Sequence, residues 1–236
     1  MNEFTIGVLG GMGTYATINM FKQYADVFKA EKEWERPRII IDNRCTMPSR
    51  VRAFLYKENV DELISEMFES MQYLMDAGAT RIILACNTSH LFLPQIYDKI
   101  PQLKDRVVNI IDNCVDEIKK QSVKSVYLLG SEGIIQSRIY QDNLLNSKIE
   151  CITPLPEEYI LIRNCIEAVK QNKYNHDIKE TFLGLVNKYD ACVLGCTELP
   201  VLYEMYKDDI LCEKIYDPLY LSIIKLKEEY DAIRKR

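Results

Sequence analysis

Two cysteines at the ends of short apolar segments are the residues of this chain best placed to carry out chemistry. Cys86 follows the apolar run 81–85, and Cys196 follows the apolar run 191–194 and a glycine. Each thiol therefore comes where a buried strand would give way to a polar turn. A thiolate acts as a base or a nucleophile, and the N-terminus of a helix after such a turn favours the ionised form. The pattern predicts a pocket with one thiol on either side.

Small polar residues follow both thiols and suit a carboxylate ligand. Asn87 and Thr88 come directly after the first cysteine, and Thr197 comes directly after the second. Together with the backbone N–H groups beside them, these side chains could cradle a carboxylate at the beginning of a helix. Capping of that helix is the alternative role, and one residue is able to fill both roles.

Four charged or titratable residues have two interpretations each. His90 lies four residues after the first cysteine, so on a helix it would face the same side and could exchange a proton with the thiol. Glu198 lies two residues after the second cysteine. Arg50, in a small polar loop, and Lys170, at the end of a predicted helix, could supply positive charge to a dianionic substrate. A capping, structural or solvated surface role is the alternative for each of the four.

The other six cysteines are expected to be free thiols that mostly fill apolar positions: Cys45, Cys114, Cys151, Cys165, Cys192 and Cys212. A chain of 236 residues is too large to depend on disulfides for its stability. The sequence has no CxxC motif and only two histidines, so we predict no zinc site.

Composition and charge limit the kinds of molecule that this protein is expected to bind. The net charge is −5, and no stripe of Lys and Arg stands out, which argues against nucleic acid and against an anionic membrane surface. No basic segment precedes the first apolar run, and no stretch approaches the roughly 18 apolar residues of a membrane span. We expect a cytoplasmic protein that acts on a small molecule, and a homodimer is compatible with the sequence.

Strands that alternate with helices must position these residues. The predicted strands cover residues 5–9, 38–42, 81–85, 107–111, 125–129, 148–152 and 191–194. Helices are predicted after the glycine turn 10–13, over 59–78, after the first cysteine motif, and over 157–170, 177–189 and 218–236. Such alternation indicates parallel sheets covered by helices on both faces, and ligands bind such sheets beyond the C-terminal strand ends.

The two halves of the chain look related. Each has a glycine-containing turn after its first strand, at residues 10–13 and 130–133, and a cysteine after a later strand. We predict an α/β protein of two pseudo-symmetric domains, residues 1–105 and 106–217, each a mostly parallel sheet flanked by helices. The active site is expected in the cleft between them, and the C-terminal helix 218–236 could pack back on the first domain.

The first glycine turn allows a different function. Residues 11–16 match the pattern G-x-G-x-x-A between a strand and a helix, and Asp42 ends the second predicted strand. This combination is the fingerprint of a dinucleotide-binding module. The pattern is weak by itself, and it leaves the two cysteine motifs unexplained.

Three segments, residues 7–13, 85–90 and 194–199, resemble the aspartate/glutamate racemase family, on its aspartate racemase side. The resemblance spans nearly the whole chain and implies a racemase that needs no cofactor, with two pseudo-symmetric α/β domains. It assigns Cys86 and Cys196 as the opposed acid and base. The implied reaction is racemisation of an acidic amino acid, aspartate or glutamate. A decarboxylase or a cis-trans isomerase of the same superfamily is the alternative.

The resemblance also extends to binding residues. Arg50 matches the family arginine after the proline-containing loop, and Lys170 falls where some aspartate racemases have a lysine that meets the side-chain carboxylate. The resemblance also implies four residues that bind the α-carboxylate of the substrate: Met12, Asn87, Thr88 and Thr197. The positions that depart from the family pattern are Thr14 in place of Pro, Thr46 in place of Gln and Ser89 in place of Ala. These departures bear on the substrate more than on the reaction.

Overall fold

Eight strands in the described residues, 4–235, form two parallel sheets. In this computed structural model the strands are β1 Thr5–Gly10, β2 Arg38–Asn43, β3 Arg81–Leu84, β4 Val107–Val108, β5 Ser125–Leu129, β6 Glu150–Ile152, β7 Ala191–Leu194 and β8 Lys214–Tyr216. The strand order is β2-β1-β3-β4 in the first sheet and β6-β5-β7-β8 in the second, and all neighbouring strands are parallel. The same order in both halves confirms the predicted fold class, an α/β protein with two pseudo-symmetric parts.

Eleven α-helices cover these sheets within residues 4–235. They are α1 Thr14–Val27, α2 Arg50–Tyr56, α3 Val60–Asp76, α4 Leu93–Lys99, α5 Ile110–Lys120, α6 Glu132–Ser137, α7 Ile139–Leu145, α8 Glu158–Gln171, α9 His176–Val186, α10 Leu199–Tyr206 and α11 Pro218–Arg234. A 3-10 helix, Thr88–Phe92, precedes α4 after β3. None of the helices described is both long enough and apolar enough to cross a membrane.

A shared apolar core holds the inner faces of the two sheets together. Ile6 and Val8 of β1 belong to the same buried cluster as Val126 and Leu128 of β5, and helices α1, α5, α6, α7 and α11 contribute to it. The neighbouring residue Leu9 belongs instead to an outer cluster that includes residues of α3 and α4. This alternation follows from the two-residue repeat of a strand. It buries each sheet on both faces, as is usual for parallel sheets.

The apolar run 107–111 is only partly a strand. The strand β4 ends at residue 108, and α5 begins soon after it, because the Asn109 side chain accepts hydrogen bonds from the backbone N–H groups of Ile111 and Asp112 at 3.0 and 3.3 Å. Since β4 pairs with β3, it belongs to the first sheet. The change from the first sheet to the second therefore comes after residue 108, whereas the predicted boundary lies at residue 105.

The C-terminal helix α11 packs against α1 and α5. In addition, Nε of Arg81 in β3 donates a hydrogen bond to the Glu229 carboxylate at 2.9 Å. The helix therefore contacts α1 and β3, within residues 1–105, and α5, within residues 106–217. Arg236, the predicted end of this helix, lies outside the described residues, as do residues 1–3. The division of the chain into two domains stays a prediction.

A buried carboxyl group joins α11 to α1. Asp217 caps α11 by accepting hydrogen bonds from the backbone N–H groups of Leu219 and Tyr220 at 3.0 and 3.2 Å. It also accepts one from the side chain of Gln23 at 2.6 Å. Burial raises the pKa of Asp217 from 3.8 to about 6, although these hydrogen bonds act in the opposite direction. Between these two values the native state holds more protons than the unfolded state, so the contribution of this group to stability falls as the pH rises.

Replacing this carboxyl group by an amide should remove that loss of stability. We expect Asp217→Asn to leave stability near pH 4 almost unchanged and to raise the free energy of unfolding near pH 7 by roughly 1 to 3 kcal/mol. Urea unfolding at the two pH values measures the difference. Asp98→Asn, at an exposed carboxylate, is the matched control and should change neither value. An Asp217→Asn protein that is equally destabilised at both pH values would contradict the assignment.

Candidate active site

The C-terminal ends of β3 and β7 open into one cavity of about 390 Å³. All the residues predicted for the site line this cavity: Met12, Arg50, Cys86, Asn87, Thr88, Lys170, Cys196 and Thr197. The two thiols therefore share one cavity, as the two equivalent strand ends predict. The structure brings these residues together, and their individual roles in the chemistry stay predictions.

The cavity lies between α2 from the first half of the chain and α6 and α8 from the second. One face of α8 contributes Tyr159, Ile162, Arg163, Ile166, Glu167 and Lys170 to the lining. These positions recur with helical spacing and therefore lie on one side of the helix. Of these six residues, only Lys170 is predicted from the sequence as a site residue. The helical spacing from Lys170 is a signal that could have identified the other five as residues that line the cavity.

Two side chains fix the turn that carries Cys86. Ser89 Oγ donates to the Cys86 carbonyl at 2.7 Å, and His90 Nδ1 donates to the same oxygen at 2.9 Å. The other ring nitrogen of His90 accepts a hydrogen bond from the backbone N–H of Ile110 at 3.4 Å, so the ring is neutral. Burial lowers the pKa of His90 to about 4, which agrees with a neutral ring.

The predicted proton exchange between His90 and the thiol is therefore wrong. Both ring nitrogens are engaged by backbone groups. In addition, His90 lies in the 3-10 helix Thr88–Phe92, where a spacing of four does not align side chains as it does in an α-helix. His90 acts on Cys86 through the carbonyl group that it holds in place.

The second thiol meets a carboxylate. Cys196 Sγ donates to Glu198 Oε2 at 2.9 Å, and only 2% of Glu198 is exposed. Burial and the neighbouring Glu198 raise the pKa of Cys196 well above its ordinary value, because both oppose formation of the thiolate. At neutral pH this thiol is therefore protonated. The other oxygen of Glu198, Oε1, has no hydrogen-bond donor among residues 4–235.

Close approaches shape the glycine turn after β1. Gly11 has a φ of +79°, and a Cβ there would collide with the backbone of Arg44. A Cβ at Gly13 would collide with Oε1 of Glu198. Gly11 is therefore required by its backbone conformation, and Gly13 leaves room for the Glu198 carboxylate. Because a carboxylate at this position would repel a pyrophosphate, the arrangement disfavours the dinucleotide-binding alternative.

Hydrogen bonds between the two halves of the chain hold the strand ends together. Thr197 Oγ1 donates to the carbonyl of Ala85 at 3.1 Å, and the hydroxyl oxygens of Thr88 and Ser131 are 3.2 Å apart. The hydroxyl proton of Thr197 is used in this contact and is not free for a carboxylate. Ser131 is not among the predicted site residues, although its position in the second glycine turn, between β5 and α6, is a signal for it.

A tyrosine orients the amide of Asn87. The Tyr140 hydroxyl donates to Asn87 Oδ1 at 2.6 Å, and both residues are buried. The amide nitrogen Nδ2 is also buried and has no acceptor in the part of the chain that the structure describes. Asn87 lines the cavity, and this NH₂ group keeps its donors unpaired among the described residues.

Four cationic side chains among the described residues line the cavity, and they differ in the groups to which they donate hydrogen bonds. Three of them pair with carboxylates, namely Arg52 with Glu58, Arg163 with Glu132 and Lys170 with Glu167. Arg50 donates instead to the backbone carbonyls of Met12, Met47 and Pro48 at 2.9 to 3.3 Å. Its Nε–H group is buried and finds no acceptor within residues 4–235. Arg50 is thus the cation whose charge is left for a bound anion.

The chain is similar to amino-acid racemases in sequence and in structure. The profile of the Asp/Glu/Hydantoin racemase family matches residues 9–219. The structure of Picrophilus torridus aspartate racemase is similar, with a TM-score of 0.82 and 26% identity over 97% of this chain and 94% of that one. The broad specificity amino-acid racemase RacX of Bacillus subtilis (strain 168) is 26% identical over 87% of this chain and 90% of its own length. Glutamate racemase of Aquifex pyrophilus is 28% identical over 62% of this chain and 57% of its own.

The contact between Cys196 and Glu198 predicts how fast the thiol is alkylated. We expect Cys196 to react slowly with iodoacetamide near pH 7, because it is protonated. Glu198→Gln should increase that rate, on the order of tenfold, because it removes the negative charge that opposes formation of the thiolate. Mass spectrometry of the peptide that carries Cys196 measures the rate. Glu132→Gln removes a cavity carboxylate that pairs with Arg163 and is the matched control, with an unchanged rate. Equal rates in the wild type and Glu198→Gln would show that this carboxylate does not control the thiol.

Proposed function

Because the chain belongs to the Asp/Glu/Hydantoin racemase family, we propose that it is an isomerase that racemises aspartate or glutamate without a cofactor, with Cys86 and Cys196 as the catalytic bases. One observation carries the proposal. Both thiols line the same cavity as Arg50, a cation without a carboxylate partner among the described residues. A substrate whose carboxylate binds Arg50 would therefore lie beside both thiols.

Inversion of the α-carbon without a cofactor requires removal of a proton from one face and delivery of a proton to the other. In one direction Cys86 acts as a thiolate, so the Cα–H bond breaks and a bond forms between that hydrogen and the Cys86 sulfur. The Cys196 thiol gives its own proton to the opposite face of the carbon and becomes a thiolate. The reverse direction starts from this thiolate and ends with Cys86 ionised.

Glu198 makes the two thiols unequal in this scheme. Together with burial, its carboxylate keeps the proton on Cys196, so Cys196 rests as the acid. When Cys196 has to start as the base, Glu198 Oε2, at 2.9 Å, is positioned to take that proton. At the first strand end, the hydrogen bonds to the Cys86 carbonyl hold the turn that carries this cysteine.

The groups in the cavity fit the two carboxylates of an acidic amino acid. Arg50 and the free NH₂ group of Asn87 would bind one carboxylate, and Lys170 would bind the other through N–H groups that Glu167 does not use. Burial lowers the pKa of Lys170, but its hydrogen bond to Glu167 and nearby acidic groups outweigh this effect, so the pKa is raised and the side chain is a cation. Charge-assisted hydrogen bonds of this kind each contribute about 1.5 to 3 kcal/mol.

A chiral assay of the purified protein with aspartate, glutamate and uncharged amino acids tests the proposal. We expect racemisation of aspartate or glutamate without added pyridoxal phosphate or metal, and no loss of activity with a chelator. Cys86→Ser and Cys196→Ser should each abolish racemisation, because a serine hydroxyl is too weak an acid to form the anionic base. Each variant should still exchange the α-proton of one enantiomer, and the two variants should favour opposite enantiomers.

Cys45→Ser is the matched control for these variants, because Cys45 is an exposed thiol outside the cavity lining, and it should keep the wild-type rate. Near wild-type racemisation by either site variant would exclude the two-thiol mechanism. A preference for an uncharged amino acid would exclude the substrate class, and release of carbon dioxide from the substrate would indicate the decarboxylase alternative.

A further inference from the structure

Tyr140 lies behind the cavity and contacts one of the residues that line it. The residue belongs to α7 and is fully buried in the apolar core that joins the two sheets. Its hydroxyl is 2.6 Å from Oδ1 of Asn87, which follows β3 of the first sheet. The donor therefore comes from the second half of the chain and the acceptor from the first.

The length of this hydrogen bond indicates which end of the amide meets the tyrosine. A separation of 2.6 Å is ordinary for an O–H···O hydrogen bond and short for N–H···O. With the amide oxygen as acceptor, the hydroxyl of Tyr140 gives its proton to Asn87. Burial raises the pKa of Tyr140 well above its ordinary value, so the hydroxyl keeps this proton at any pH at which the protein would work.

We infer that Tyr140 is a positioning residue for substrate binding, which holds Asn87 so that Nδ2, and not the amide oxygen, meets the substrate carboxylate. The inference rests on the proposed function, because it takes that carboxylate to be the ligand. Nδ2 is buried and has no acceptor among the residues that the structure describes, while Asn87 lines the cavity. A reversed amide would present Oδ1 to the carboxylate. The partial negative charge of this amide oxygen would then repel the negative charge of the carboxylate oxygen. The tyrosine proton thus decides whether Asn87 attracts or repels the substrate.

Tyr140→Phe removes the hydroxyl and keeps the buried ring, so it isolates this effect. We expect KM for the racemised amino acid, and Kd by calorimetry, to rise about three- to tenfold with kcat nearly unchanged, as for the loss of one neutral hydrogen bond. In an Asn87→Ala background the same substitution should not change KM further, because no amide remains to be oriented. Tyr127→Phe is the matched control. Tyr127 is also buried, its hydroxyl contacts Glu158 at 3.3 Å, and its substitution should leave KM unchanged.

Asn87→Asp provides a second test that does not depend on the tyrosine variant. A carboxylate presents an oxygen to the substrate whichever way it turns, so KM should rise more for Asn87→Asp than for Asn87→Ala. Three results would overturn the positioning role and leave the proposed function intact. The first is a wild-type KM in Tyr140→Phe, and the second is an equal rise of KM when Tyr140→Phe is made in the Asn87→Ala background. The third is a smaller rise of KM for Asn87→Asp than for Asn87→Ala. A wild type that neither binds nor racemises aspartate or glutamate would overturn the proposed function, and this inference with it.

Discussion

Burial of both faces of two parallel sheets is the constraint on which the rest of the structure depends. The inner faces share one apolar core with five helices, so the two sheets are fixed relative to each other. The C-terminal ends of β3 and β7 then open into the same cavity, and the hydrogen bond from Thr197 to the Ala85 carbonyl, at 3.1 Å, joins these ends directly. The two thiols are thus carried by strand ends that the core holds, a placement that suits chemistry needing fixed distances.

The two strand ends are equivalent in the fold and different in their chemistry. At the first, Ser89 and His90 donate to the backbone carbonyl of Cys86. At the second, Glu198 accepts a hydrogen bond from the Cys196 thiol itself and opposes its ionisation. Two enantiomers have the same free energy in water, so unequal thiols cannot shift the equilibrium of a racemisation. They can only change how the rates and affinities are distributed between the two directions.

Much of the fold and of the cavity could be predicted because the signals are local. The apolar runs, the glycine turns and the cysteine motifs lie within short segments, and they identified the fold class and residues that line one cavity. The run 107–111 suits a strand or a helix equally, and the cap at Asn109 decides between them. Of the two interpretations of His90, proton exchange with the thiol is excluded because backbone groups engage both ring nitrogens, a contact that the spacing in sequence does not reveal. The contact of Tyr140 with Asn87 joins α7, in the second half of the chain, to the turn after β3, in the first, and no local pattern encodes it.

The central claim is that two different thiols act on opposite faces of the α-carbon. Racemisation in deuterium oxide, followed by mass spectrometry of each enantiomer early in the reaction, tests this claim most directly. The product should carry deuterium at the α-carbon while the remaining substrate stays protiated, because the group that delivers the proton is not the group that removed it. Early product that retains its α-proton, or substrate that exchanges as fast as product forms, would contradict the two-thiol mechanism and indicate a single base that serves both faces.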